Sequence, residues 1–161
     1  MSRKEIVYWD SDCFLGYFKQ EEDKIRACRG TAEKAKQGDL IITTSAITLV
    51  EVVRLQKHEV RLSAKEEKTI KDFFANPYIY IHNVDREVAT HARQLIWKNN
   101  LSQRDSIHVA TAVLRKIPTM HTFDKDLLKL DDHFGNPRLH ICRPGAGDQM
   151  DFRDLHDAEG T

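Results

Sequence analysis

The run Ile6-Val-Tyr-Trp9 ends abruptly at Asp10-Ser11-Asp12, and apolar residues resume at Cys13-Phe14-Leu15 with helical spacing. That pattern reads as a buried strand that delivers carboxylates to the start of a helix. It recurs along the chain. Leu40–Thr44 is a β-branched run flanked by Gly38-Asp39 and Ser45, and Tyr78–His82, Pro118–Phe123 and Arg138–Cys142 are three further short strands. Between them the spacing predicts helices over Asp12–Phe18, Glu21–Gln37, Ser45 to about His58, Ser63–Phe74, Asp85–Asn99, Ser102–Ile117 and Lys125–Leu130. Several boundaries carry their own signals. Gly38 stops the second helix. Ser63 with Glu66 makes a capping box, and Asn76-Pro77 breaks the helix that follows it. Val88, Ala92, Leu95 and Ile96 form an apolar stripe. Strands separated by helices predict an α/β fold, a three-layer α/β/α sandwich around a central, mostly parallel sheet.

The bulk numbers agree with one such domain. A chain of 161 residues, 40% hydrophobic and 31% charged, can bury a real core. No apolar stretch reaches the roughly 20 residues a membrane span needs. The N-terminus runs straight into the first strand, without a signal-peptide pattern. Cys13, Cys28 and Cys142 are odd in number and scattered, which points to a reduced, cytoplasmic setting rather than a disulfide framework. The formal net charge is zero, but it is unevenly spread. Residues 148–161 hold five acidic residues against Arg153 alone, a net of −4, which leaves +4 on residues 1–147. We therefore read residues 1–147 as the folded domain and residues 148–161 as an acidic, flexible tail.

Four carboxylates sit oddly in this framework. Glu51 interrupts a helix face made by Ile47 and Leu55, with Val50, Val52 and Val53 around it. A buried lone carboxylate is costly unless it is paired or binds a metal. Its plain alternative is an ion pair with Arg54 at i+3. Asp105 lies three residues after Ser102, so it is either part of a helix cap or a site residue. Asp124, after the strand that ends at Phe123, has the same two readings, as do Asp10 and Asp12, only one of which is needed as a cap. In open parallel sheets, ligands bind beyond the carboxyl ends of the strands. Carboxylates gathered there repel one another, and a hard divalent cation with oxygen ligands resolves the conflict. Such a centre activates water and stabilises charge at phosphorus.

The segments that carry these acids resemble, in order and spacing, the four motifs of PIN-domain ribonucleases, with VapC-type toxins nearest. Ile6–Leu15 resembles the first motif, Thr44–Glu51 the second, Arg104–Ala112 the third and Thr122–Asp126 the fourth, together spanning about residues 5–143. The resemblance implies an endoribonuclease dependent on Mg²⁺ or Mn²⁺, with Asp10, Glu51, Asp105 and Asp124 as its acidic quartet. Asp10 and Asp105 would ligate the metal directly, and Asp124 would hold it or its waters. Glu51 would orient the attacking water and help to take its proton. Thr122 or Ser11 would hydrogen-bond a metal-bound water, with Asp126 only auxiliary. The resemblance also implies a small antitoxin partner and a homodimer. Asp12 departs from the usual small polar residue and adds negative charge.

Other residues were weighed beside the quartet. His108, one turn after Asp105, is either a substrate contact or packing at the pocket edge. His91, His121 and His140 read as structural or exposed, and Tyr8 and Trp9 as core. Arg54, Arg104, Arg115, Lys125 and Lys129 could line a phosphate track. Two rival functions remain. One is a non-catalytic module on the same fold. The other is a haloacid-dehalogenase-like phosphatase, in which Asp10-Ser11-Asp12 would carry the nucleophile and Asp131-Asp132 the terminal acidic pair.

Overall fold

A computed structural model of the chain describes residues 3–54 and 61–145. The acidic tail at 148–161 therefore lies outside the described residues. Five strands form one sheet in the order β3-β2-β1-β4-β5, and every pairing is parallel. They are β1 (Glu5–Trp9), β2 (Leu40–Ser45), β3 (Ile79–His82), β4 (Thr119–His121) and β5 (His140–Cys142). The helices are α1 (Ser11–Phe18), α2 (Glu22–Lys36), α3 (Thr48–Glu51), α4 (Ala64–Phe74), α5 (Arg86–Asn99), α6 (Gln103–Leu114) and α7 (Lys125–Leu128).

Alternation along β1 shows why the sheet is covered twice. Val7 and Trp9 belong to one buried cluster with Phe14, Cys28, Ala32 and Phe74 from α1, α2 and α4. Tyr8, pointing the other way, belongs to a second cluster with Val88, Ala92 and Leu95 of α5 and Val109, Ala110 and Ala112 of α6. The expected three-layer α/β/α architecture is therefore present, and the sheet is parallel throughout.

Helix ends follow local chemistry. Gly38 takes φ +87°, its amide donates to the Ala35 carbonyl, and the Asp39 amide donates to the Lys34 carbonyl. That is a Schellman closure, which only a residue tolerant of the left-handed region makes cheaply. The Ser63 hydroxyl accepts from the Glu66 amide at 3.2 Å, which caps α4, and donates to the Glu66 carboxylate at 2.9 Å.

Two expectations need correction. The helix predicted from Ser45 to His58 is a single turn within the described residues. Ser45 ends β2 rather than capping a helix, and Val52 leaves helical geometry at φ −98°, ψ 77°. The β-branched Val50, Val52 and Val53 weaken the helix. Val52 is buried, while Val50 and Val53 are exposed. Residues 55–60, and with them the predicted face at Leu55, lie outside the described residues. The second correction is at α6, which stops at Leu114. Lys116 turns left-handed (φ 54°), and the Ile117 amide reaches back to the Ala112 carbonyl.

Phe14 anchors α1 against the sheet. Its ring lies 5.1 Å from Trp9, 5.1 Å from Phe74 and 6.1 Å from Phe73, and it is fully buried. Phe14→Ala should cost about 3–5 kcal/mol of stability, read as a lower urea midpoint with an unchanged slope. A loss under about 1 kcal/mol, the range of a surface change, would contradict this packing.

Candidate functional site

Because all strands run in parallel, their carboxyl ends share one edge. The three central strands, β1, β2 and β4, lead into Asp10, Glu51 and Asp124, and Asp105 comes from the first turn of α6. Asp10 follows β1 directly and is 3% exposed. One of its oxygens accepts from the Cys13 amide at 3.2 Å, so Asp10, not Asp12, is the α1 cap. The other accepts from the Thr122 hydroxyl at 2.5 Å. That hydroxyl in turn accepts from the Asp124 amide at 3.0 Å. Thr122 thus ties the end of β1 to the end of β4, giving its one proton to the Asp10 carboxylate.

Asp124 caps α7, accepting from the Asp126 amide at 2.8 Å. Asp105 occupies the first turn of α6, whose cap is Ser102, the acceptor for the Asp105 amide at 3.1 Å. Asp10 and Asp124 are therefore caps through their own carboxylates, whereas at α6 the cap is Ser102. Asp126 projects into solvent near Lys129, as expected of a surface residue.

Glu51 ends the single turn after β2. Its side chain is only 8% exposed. The partner expected for it was Arg54. The observed partners come instead from α1 and α6, because the helix ends before an i+3 pair can form. Ser11 donates to Oε2 at 3.0 Å, Arg104 donates to the same oxygen, and His108 Nε2 meets Oε1 at 2.8 Å. Arg104 also donates to the Ser11 hydroxyl at 3.3 Å. Ser11 adjoins Asp10, and Arg104 adjoins Asp105, so these contacts draw the first three motifs together.

The electrostatics show the crowding. Burial pushes the Asp10 carboxyl up to about 6, and the neighbouring Asp12 adds to the rise. Burial also raises Asp105, followed by repulsion from Asp124. Glu51 behaves oppositely. Burial disfavours its charge, but hydrogen bonds and charge from His108, Ser11 and Arg104 outweigh it and hold it below the ordinary value.

An all-oxygen donor set with mutually repelling acids suits a hard divalent ion. Even so, among the described residues no three His, Cys, Asp or Glu side chains are gathered closely enough to hold one. Arg104 supplies the positive charge beside Glu51. The donor chemistry suits such an ion, but the acids do not converge on one point in this structure.

Residues set apart from the quartet also find places. Trp9 Nε1 donates to His121 Nδ1 at 3.1 Å, and burial pushes the His121 imidazole down to about 4, so this pair is structural. Arg115 pairs with Asp85 at the start of α5 at 2.9 Å, away from the acids. Asp131 accepts from the Ile141 amide at 2.7 Å and from His140 at 2.9 Å, and Asp132 sits in a left-handed turn. The pair needed by a phosphatase is thus engaged in shaping the approach to β5. His108 is 1% exposed and packs behind Glu51, with its ring nitrogens engaged by Glu51 and Tyr8. Its signal was in the sequence. Ser106-Ile-His-Val-Ala-Thr-Ala112 is small or apolar nearly all round, which marks a buried helix.

The fold and this edge define a parallel α/β/α protein with an acidic site beyond its central strands. Residues 7–133 match the PIN domain model, and the chain belongs to the PIN-domain family. Solved structures share the fold. VapC20 of Mycobacterium tuberculosis, a toxin that cleaves the sarcin–ricin loop, matches at 12% identity and TM-score 0.61 over 76% of this chain and 93% of its own. A toxin–antitoxin complex from Klebsiella pneumoniae matches at 21% identity and TM-score 0.57, over 75% and 89%. VapBC2 of Rickettsia felis, bound to a promoter DNA fragment, matches at 14% and 0.57, over 84% and 98%. No curated protein sequence matches.

Proposed function

We propose that this chain is a divalent-metal-dependent endoribonuclease, the VapC-type toxin of a toxin–antitoxin pair. The observation that supports the reading is the gathering of the motif acids: Thr122 bridges Asp10 and Asp124, Ser11 and His108 hold Glu51, and Asp105 feels the charge of Asp124. Asp10 and Asp105 would hold Mg²⁺ or Mn²⁺ directly, with Asp124 supporting the ion or its waters and Glu51 orienting the attacking water. The ion would activate that water and offset charge at the scissile phosphate. Glu51, kept ionised by its partners, would accept a hydrogen bond from that water and help to take its proton, and because its lowered value makes it a weak base the ion would carry most of the activation. The similar structures from toxin–antitoxin systems support a small protein antitoxin as partner, and the family reading carries a homodimer and a cytoplasmic location with it. Among the described residues no helix is long and apolar enough to cross a membrane.

The purified protein should shorten single-stranded RNA with Mn²⁺, stop on EDTA, and release no phosphate from p-nitrophenyl phosphate. Phosphate release without RNA cleavage would replace this reading with the phosphatase. No metal-dependent cleavage of any RNA would leave only the non-catalytic module.

Arg104, whose side chain is 61% exposed, is the cation placed at the acids, and we assign it to the scissile phosphate. Arg104→Ala should weaken RNA binding and reduce the slope of log affinity against log salt by about one. An unchanged slope would remove Arg104 from the phosphate path.

A further inference from the structure

Tyr8 and His108 are 0% and 1% exposed, on the side of the sheet where α5 and α6 pack. Polar groups in such a place must be hydrogen-bonded, and these two are bonded in series. The Tyr8 hydroxyl meets His108 Nδ1 at 2.6 Å, and His108 Nε2 meets Glu51 Oε1 at 2.8 Å. The Tyr8 and His108 rings cross edge to face, with centroids 5.7 Å apart. The series is threaded through the site by its positions in the chain. Tyr8 precedes Asp10 by two residues on the same strand face, and His108 follows Asp105 by one helical turn.

With His108 neutral, hydrogen-bond chemistry orders the protons. An ionised carboxylate only accepts, so Nε2 must carry a hydrogen. The phenol keeps its proton at neutral pH and can give it to a bare Nδ1. Glu51 is then divided in function. Oε1 is pinned from the buried side, while Oε2 faces Ser11 and the exposed Arg104.

We infer that His108 and Tyr8 are positioning residues for Glu51. Tyr8 holds His108 in its Nε2–H form, and His108 aims the carboxylate so that Oε2 faces the site. The contribution to catalysis rests on the ribonuclease reading above; the positioning itself does not.

Two measurements test this. The first uses ¹⁵N–¹H correlation spectra of the imidazole groups and needs no RNA. His108 should show a bare Nδ1 and a protonated Nε2 in the wild type. Tyr8→Phe should shift the Nδ1 resonance, and Glu51→Gln should shift the Nε2–H resonance. An Nδ1–H tautomer, or resonances indifferent to both changes, would overturn the inference.

The second is kinetic, with Mn²⁺ saturating. His108→Leu should lower kcat about 10²-fold, the scale of a roughly 1 Å misplacement of a catalytic group, and leave KM nearly unchanged. His108→Gln, which can still donate to Glu51, should recover at least part of that loss. In a Glu51→Gln background neither change should alter the residual rate further, because groups acting as one unit are not additive. Wild-type kcat in Tyr8→Phe and His108→Leu, or an equal loss in the Glu51→Gln background, would make the pair merely structural. Should His108→Leu fail to fold, the isosteric Tyr8→Phe and the spectra still decide. If the wild type cuts no RNA, the ribonuclease reading fails, and the spectra alone judge the positioning.

Discussion

Asp10→Asn should abolish RNA cleavage and at the same time make the protein more stable. The loss of rate should reach roughly 10²–10³-fold, the scale of deleting one preorganised group that stabilises transition-state charge. The gain in stability comes from the same carboxylate. Its folded value is raised to about 6 from an ordinary 3.8, so the folded state binds a proton more tightly than the unfolded chain does. The destabilising effect is absent below pH about 4, grows between pH 4 and 6, and is full above pH 6, where it amounts to about 3 kcal/mol. Asparagine keeps the oxygen that caps α1 and carries no charge. At pH 7.5 with EDTA, Asp10→Asn should therefore melt roughly 5–10 °C above the wild type, and the difference should shrink toward pH 4. Saturating Mn²⁺ should narrow it from the other side, since an ion at about 100 times its Kd stabilises the wild type by roughly 2.7 kcal/mol. A variant that melts lower at pH 7.5 would mean that Asp10 is held for structure alone.

Glu51→Gln should behave oppositely in stability and alike in activity. Its cleavage rate should fall about 10²–10⁴-fold, as for loss of a general base, while RNA still binds. Here the folded carboxyl is held below its ordinary value by His108, Ser11 and Arg104 in spite of burial. Its charge therefore favours folding above the unfolded pKa, and that contribution is lost as pH falls through the folded value. Gln keeps an acceptor for His108 but loses the charge, at a cost of about 1.5–3 kcal/mol for hydrogen bonds to an ionised group. Thermal melts of the two variants side by side at pH 7.5 should move in opposite directions. Movement in the same direction would contradict the charge distribution described for the site.

The strand ends were legible in the sequence because an apolar run that stops at Asp can do little else in a parallel sheet. That logic places Asp10 and Asp124 at helix starts, and the Ser102 cap spacing places Asp105 at another; each is there. Glu51 was legible as an anomaly but not in its partners. Arg54 was the local candidate at i+3, and it required a helix that the valines interrupt. Ser11, Arg104 and His108 lie 40, 53 and 57 residues away, and no local periodicity reports such pairings. His108 was the residue most underread. The small and apolar neighbours that surround it in α6 already implied burial, and a buried imidazole implies a partner. Tyr8 was read as core, and it is core, yet its hydroxyl is the outer member of the series that holds Glu51. Extended apolar patterning announces a buried ring and says nothing of what its polar tip meets.

Anomalous scattering from a crystal soaked in Mn²⁺ examines the proposed centre most directly. A single strong peak should lie at the carboxyl edge of the sheet, bonded by Asp10 and Asp105, with Asp124 and Glu51 around it and Arg104 swung away from Glu51. A peak elsewhere, or none at that edge with Arg104 still clasping Glu51, would contradict the assignment of these four acids to one ion.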